Sequence, residues 1–100
     1  MYSEGVARIA AERRRQVEEE GWTADHDALH RGEELAMAAT CYAMPPHARW
    51  DHRLRWLWPW TWRYYKPGPT RVRELTKAGA LIAAEIDRLL AEAVAEEYRI

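Results

Sequence analysis

Hydrophobic residues recur at helical spacing from the start of the chain. Residues 4–20 follow the candidate N-cap Ser3, and their apolar stripe stops at Gly21, a common residue just after a helix. Thr23 can cap a second, short helical segment that begins directly afterwards. The pattern therefore predicts one helix of several turns followed by a short one.

Two further helical patterns lie later in the chain. Residues 33–44 resume the spacing and stop at Pro45, because the backbone before a proline disfavours the helical conformation. Residues 71–97 follow the candidate N-cap Thr70 and form the longest pattern. The apolar stripe of this last helix comprises Val72, Leu75, Gly79, Ile82, Ala83, Ile86, Leu89, Leu90, Ala93 and Val94. We predict an all-α domain of three to four helices spanning residues 1–100.

The segment about 45–70, before the last helix, differs from the rest of the chain. It holds all five prolines, and Pro59 argues against a central β-strand, so we predict an irregular Trp- and Pro-rich crossover. From Trp56 to Tyr64 every second residue is aromatic, which on an extended backbone would place the rings on one side. Each buried Trp removes roughly 150 to 250 Å² from water. The rings must therefore cover the chain's own helices, a second copy or a flat ligand.

Composition limits the class of protein. With 48% hydrophobic and 31% charged residues and no long apolar run, the chain is expected to be soluble and globular, without a membrane span or secretory signal. We expect a cytosolic protein that does not bind membranes. The single cysteine, Cys41, excludes an internal disulfide and a Cys-based zinc site and is expected to be a small buried hydrophobe.

Charge is segregated along the chain. Residues 47–73 carry seven Lys and Arg residues against one Asp, a local balance of +6, although the whole chain has a formal net charge of -1. A total near zero argues against a protein that coats long nucleic acid. It leaves room for a small anionic ligand.

The start of the last helix is unusually basic. Lys66, Arg71, Arg73 and Lys77 surround its free N–H groups, where acidic residues are normally favoured. Either a bound anion such as a phosphate or nearby carboxylates must offset this charge. The carboxylates available are Glu18 to Glu20, Glu33, Glu34 and Glu74.

One stretch has the composition of a metal or acid–base site. His26 and His30 are four residues apart and would share a helix face next to Asp27, a geometry that zinc can use with a third ligand. Capping, local hydrogen bonding or contact with a ligand would explain the same residues. Glu33 and Glu34 match the first two positions of the Glu-Glu-x-x-Glu motif of all-α nucleotide pyrophosphohydrolases, but Met37 stands where the motif has its last Glu. We therefore predict no metal, no other cofactor and no complete catalytic site.

Several short motifs, spread over most of the chain, together resemble a family of small proteins encoded by phages and prophages. The resemblance implies a phage accessory protein in the host cytoplasm and assigns no activity to these positions. The motifs are Glu12-Arg13-Arg14-Arg15-Gln16, Glu20-Gly21-Trp22-Thr23 with His26, Asp27 and His30, Trp58-Pro59-Trp60, Lys66-Pro67, and the run Leu75 to Leu89.

The sequence favours a binding protein for a small phosphate-containing, nucleotide-type ligand. Aromatic rings can stack a base, and cations can hold phosphates. In a phage accessory protein, such a site would sequester a nucleotide signal of host defence, in pockets of a homo-oligomer. The expected contacts are Trp58, Trp60, Arg63, Lys66, Arg71 and Lys77, with Arg13, Trp22 and His26 as candidate second walls.

Two alternatives stay open. The exposed Trp and Arg residues could form a contact surface for a host protein that this chain inhibits or adapts, since these residue types are enriched at binding hot spots. A nucleotide hydrolase would instead use His26, Asp27 and His30, with Glu33, as acid–base or metal-binding residues. The incomplete motif makes an enzyme the less favoured reading.

Overall fold

The helices predicted from the sequence are present, and one further helix, residues 51–57, forms inside the segment predicted to be irregular. The computed structural model describes residues 2–99, apart from the side chain of Asp51, and these residues contain no strand. The all-α prediction is confirmed. The α-helices are α1 (Glu4–Glu18), α2 (Ala24–Asp27), α3 (Glu34–Ala43), α4 (Asp51–Leu57) and α5 (Arg71–Glu97), with single 3-10 turns at Pro46–Ala48 and Trp62–Tyr64.

Hydroxyl side chains cap three of the helices. Ser3 accepts a hydrogen bond from the backbone of Val6 at the start of α1, and Thr23 and Thr70 do the same at α2 and α5. Each cap satisfies one N–H group that lacks an intrahelical partner. α1 ends before Gly21, whose φ of 74° is accessible to glycine at little cost.

The core lies mainly between α3 and α5. Half of its members are alanine or cysteine, which lets the two helices approach closely, and α1 crosses another side of α5. At that crossing a Cβ atom on Gly79 would lie 2.5 Å from Cδ1 of Ile9, so only glycine fits without a shift. Burial raises the pKa of the Cys41 thiol to about 11, as expected of a buried cysteine. The buried cluster comprises Leu35, Ala38, Ala39, Cys41, Tyr42, Leu54, Trp58, Ala78, Leu81 and Ala84.

The large aliphatic residues of α5 do not lie in this core. The side of α5 that is buried carries Glu74, Ala78, Ala80, Leu81, Ala84, Glu85 and Arg88. The apolar stripe instead faces outward, with its large side chains 46 to 61% exposed. These residues are Val72, Leu75, Ile82, Ile86, Leu89, Leu90 and Val94. In the single chain, the most hydrophobic face of the longest helix is therefore uncovered.

The aromatic row of the crossover is not extended. Trp56 lies on α4 and is 79% exposed, whereas Trp58, just after that helix, is only 7% exposed. Residues two apart on a helix point in nearly opposite directions, so the alternation does not place the rings on one side. Trp58 belongs to the core, and its Nε1 donates a hydrogen bond to the carbonyl of Thr61 at 3.2 Å. None of the helices described is both long and apolar enough to cross a bilayer.

Candidate functional site: a cavity walled by aromatic rings

A cavity of about 290 Å³ lies where the crossover and the segment containing α2 close over α1, α3 and α5. Its wall combines aromatic rings with a smaller number of charged and amide groups. Such a mixture is typical of small-molecule sites, in which a few polar groups fix the orientation of the ligand. The lining residues are Glu12, Arg15, Gln16, Glu20, Trp22, His26, His30, Leu35, Tyr42, Trp58, Trp60, Tyr64, Lys66, Lys77 and Leu81.

Five of the lining rings form a continuous line. The Trp22 ring stacks parallel to His26, with their centroids 6.0 Å apart, and His26 meets His30 edge to face at 5.0 Å. His30 lies 5.2 Å from Trp60, which meets Trp58 edge to face at 5.5 Å. The line joins residues from before α2 to those after α4. It gives the cavity an aromatic wall that suits a flat ligand.

Arg13 fixes one end of this wall. Its guanidinium donates to Oδ2 of the buried Asp27 at 2.8 Å and to the backbone carbonyl of Trp22 at 3.3 Å. Nδ1 of His26 lies 3.4 Å from Oδ1 of the same carboxylate. Arg13 therefore holds the α2 segment against α1 and does not line the cavity. Its expected contact with a ligand is replaced by an ion pair in this structure.

Glu12 is the charged centre on the α1 side. Its carboxylate accepts from Arg15 at 2.9 and 3.0 Å and from Arg73 at 2.7 Å. Burial acts to raise the pKa of Glu12, but the hydrogen bonds from Arg15 and Arg73 outweigh it and hold that pKa below its ordinary value. Glu12 is therefore an ionised, fully paired carboxylate.

Gln16 lies one turn further along α1 and is only 2% exposed. Its amide nitrogen donates to Oε2 of Glu12 at 3.2 Å. Its amide oxygen is buried and has no hydrogen-bond donor among the residues that the structure describes. A buried acceptor without a partner costs about 1 to 3 kcal/mol. A group that binds in the cavity and donates to this oxygen would recover that free energy.

Two lysines supply positive charge to the cavity. Nζ of Lys77 donates to the backbone carbonyl of Lys66 and lies 5.5 Å from the centre of the Tyr42 ring. Burial, with the nearby positive charge of Arg73, lowers the pKa of Lys77. Lys66 is exposed, and its backbone N–H donates to the hydroxyl of Tyr42 at 3.1 Å.

The other cations at the start of α5 have partners within the chain. Arg71 donates to the carbonyls of Tyr42, Ala43 and Met44 at the end of α3. Its guanidinium also contacts Glu74 at 3.3 Å, while Arg49 donates to the other oxygen of Glu74 at 2.7 Å. Arg71 therefore pairs with Glu74, one of the carboxylates that the sequence offered, whereas Arg73 pairs with Glu12, which was not among them. Arg63 lies on the surface, 3.1 Å from the hydroxyl of Tyr64.

The carboxylates near His30 form a second polar cluster. Arg88 donates to both oxygens of Glu85 at 2.7 and 3.0 Å, and this contact lowers the pKa of Glu85. Glu33 shares a hydrogen bond with Glu85, which raises the pKa of Glu33. The guanidinium of Arg88 supplies the positive charge here. In the described part of the chain, no group of three His, Cys, Asp or Glu residues is arranged to hold a metal ion.

Of the nine residues expected to bind a ligand, the cavity gathers six: Trp22, His26, Trp58, Trp60, Lys66 and Lys77. Gln16 and Tyr42 were not anticipated, although both line it. The only sequence signal for Gln16 was its position one turn after Glu12, beside the apolar stripe of the first helix. No family model, curated protein or solved structure matches this chain.

Proposed function

We propose that this protein binds a small nucleotide-type ligand, with a flat ring system and an anionic group, in the aromatic cavity. The observation that carries the proposal is the line of five rings from Trp22 to Trp58 beside the unpaired oxygen of Gln16 and the ammonium of Lys77. A volume of about 290 Å³ is near the lower end of the range for drug-sized ligands, about 300 to 1,000 Å³. It suits a single nucleotide and not a polymer.

The polar groups of the cavity determine which chemical group each end of the ligand must carry. The oxygen of Gln16 requires a donor, which the exocyclic amine of a nucleobase supplies. Lys66 and Lys77 suit a phosphate. Because burial lowers the pKa of Lys77, an anion bound beside its ammonium would raise that pKa again. Binding should therefore take up protons at alkaline pH.

Native mass spectrometry of the purified protein, followed by denaturation and analysis of any released molecule, is the first test. Calorimetric titration with amine-bearing and amine-free nucleotides then measures affinity. Trp60→Ala should weaken binding by about 5- to 150-fold, since stacking on an aromatic ring contributes about 1 to 3 kcal/mol. Trp56→Ala is the matched control, because Trp56 is exposed and lies outside the cavity. A protein that carries no ligand and ignores the nucleotide panel would refute the proposal.

For the biological role, we propose sequestration of the ligand in a host-cell cytoplasm, on the basis of the resemblance to phage proteins. A sequestering protein lowers the free ligand concentration without changing the ligand. The bound nucleotide should therefore be recovered chemically intact after long incubation, including in the presence of Mg²⁺ or Zn²⁺. Turnover that is lost in His30→Ala would instead support the hydrolase alternative.

We propose binding of a host protein as a second candidate function, because a surface outside the cavity exposes several Trp and Arg side chains. Arg53 lies 4.5 Å above the ring of Trp50, and Arg55 lies 5.5 Å from the ring of Trp62, beside the exposed Trp56. Arg and Trp side chains of this kind are common at protein interfaces. A host protein that binds here should be lost with Trp50→Ala and Trp56→Ala, while nucleotide binding is retained.

A further inference from the structure

The exposed stripe on α5 has the spacing of a coiled-coil seam. Positions 72, 75, 79, 82, 86, 89 and 93 alternate in steps of three and four residues, and all are apolar. Such spacing keeps one face of a helix against a partner helix over many turns. The seam begins in the first turn of α5 and extends past Arg88, the last buried residue of that helix. It is exposed over most of α5 and is interrupted at Gly79, where Ile9 of α1 packs against it.

In the single chain, more large aliphatic side chains are exposed than buried. Among the described residues, Leu35, Leu54 and Leu81 are the only buried leucines, isoleucines or valines, whereas nine such residues are at least 45% exposed. Seven of the nine lie on α5. Monomeric proteins rarely expose contiguous apolar patches of more than a few hundred Å². The distribution resembles that of obligate homodimers, whose interfaces are like a domain core cut in half.

We propose that a second copy of this chain packs antiparallel along the α5 seam. The net charges at the two ends of α5 favour this direction: residues 71–77 carry +2 and residues 92–97 carry -3, although most of these groups also form ion pairs within the chain. An antiparallel pair places each basic end beside the acidic end of the other copy. A parallel pair would bring like charges together. The two helix dipoles also oppose each other in the antiparallel arrangement.

The side-chain sizes along the seam fit the same arrangement. With the two-fold axis midway between Ile82 and Ile86, these two residues face each other across the interface. The same register places Leu75 opposite Ala93, while Leu89 would meet Gly79 together with Ile9 of α1, which already fills the position of a Cβ at Gly79. Leu75 then meets a small residue, as close packing between two helices requires, and Val72 at the start of the seam lies opposite Glu96. Between positions 75 and 93 the register therefore sets apolar residues against apolar residues.

Light scattering and native mass spectrometry of the full chain test the association. We expect a dimer or a multiple of it at micromolar concentration. Ile86→Glu should weaken self-association at least 100-fold, because it would bury an unpaired carboxylate. Leu29→Glu, at a site 76% exposed and outside α5, should leave it unchanged. A monomer at 100 µM, or a dimer that Ile86→Glu leaves intact, would overturn the proposal, as would an α5 surface that binds only an unrelated protein.

Disulfide cross-linking tests the direction and stays informative if Ile86→Glu does not fold. Positions 75 and 93 are 18 residues apart, about 27 Å along the helix, far more than a disulfide can span. Under mild oxidation, Leu75→Cys and Ala93→Cys should each remain uncrosslinked alone and should form a disulfide with each other when mixed. The native protein is the control, since Cys41 is buried. Cross-linking of Leu75→Cys with itself, or none in the mixture, would refute the antiparallel pair.

Discussion

The amide nitrogen of Gln16 donates to Oε2 of Glu12 at 3.2 Å, and this bond decides which way the Gln16 amide points. An ionised carboxylate can only accept hydrogen bonds, so the nitrogen must face Glu12 and the oxygen must face away. Glu12 remains ionised because Arg15 and Arg73 hold its pKa low. Two guanidinium groups therefore determine, through Glu12, that the oxygen of Gln16 is the amide atom left without a partner.

Gln16→Met should separate ligand binding from stability. The substitution removes the hydrogen bond to Glu12, worth about 1 kcal/mol, but also removes the unpaired buried oxygen, which costs about 1 to 3 kcal/mol. We expect the free energy of unfolding, measured by urea denaturation, to change by no more than about 1 kcal/mol. The affinity for an amine-bearing nucleotide should fall about tenfold. A loss of more than about 3 kcal/mol in stability would mean that the Gln16 oxygen has a donor in the folded chain.

Trp56, in the last turn of α4, and Trp58, just after it, should differ sharply in their contribution to the stability of the fold. Trp58 is packed against Tyr42 and Tyr65 with ring centroids 5.6 and 5.1 Å apart, and its removal would leave a cavity in the core. Trp58→Ala should lower the free energy of unfolding by about 3 to 5 kcal/mol. Trp56→Ala should change it by no more than about 0.5 kcal/mol, because the side chain is exposed. Equal effects in chemical denaturation would contradict the placement of these rings.

Acid should unfold the protein through its paired carboxylates, of which Glu74 is the clearest. The hydrogen bond from Arg49, helped by Arg71 and opposed by burial, holds the pKa of Glu74 below its ordinary value. The unfolded chain therefore binds this proton more tightly. The stabilisation is fully present above the unfolded pKa, about 4.3, and is lost as pH falls through the lower folded pKa.

Glu74→Gln should accordingly lower Tm at pH 7, since it leaves the largely buried guanidinium of Arg49 without its carboxylate. The difference in Tm from the native protein should narrow between pH 5 and pH 3, as native Glu74 becomes protonated. Differential scanning calorimetry across this range measures the effect. Glu4→Gln is the control, because Glu4 forms only an exposed pair with Arg8. A Tm difference that is constant with pH would show that Glu74 does not contribute to acid unfolding.

The boundaries of α1 and α5 were predictable because caps and stops act over a few residues, as at Ser3 and Thr70. The helix α4 was not predicted, since no side chain caps its start and it lies among the prolines of the crossover. Which face of α5 is buried could not be predicted from the sequence, because α5 has two candidate faces and the choice depends on how α1 and α3 pack. The partners of Arg71 were equally hidden. They are backbone carbonyls at the end of α3, and no side-chain pattern marks a carbonyl as an acceptor for a residue 28 positions later. The contacts of Trp58, Trp60 and Lys66 with the cavity were easier to anticipate, since these residues cluster within the crossover.

The crossing of α1 over α5 depends on the missing side chain at Gly79. A Cβ there would lie 2.5 Å from Cδ1 and 2.7 Å from Cγ1 of Ile9, so Ile9 would have to move. Alanine gains about 1 kcal/mol over glycine in a helix interior, but overpacking at such a contact costs about 1 to 3 kcal/mol. We expect Gly79→Ala to destabilise the protein by about 1 kcal/mol.

Combining Gly79→Ala with Ile9→Ala should release the helix-forming advantage of alanine, because Ile9→Ala removes the three side-chain atoms that a Cβ at position 79 would meet. The double variant should then be more stable than the sum of the two single effects by about 1 to 2 kcal/mol. Urea denaturation of all four proteins, at a concentration where light scattering shows the same oligomeric state, completes the cycle. If Gly79→Ala alone stabilises the protein, or if the two effects simply add, Ile9 can move aside freely and the close approach of α1 does not require glycine.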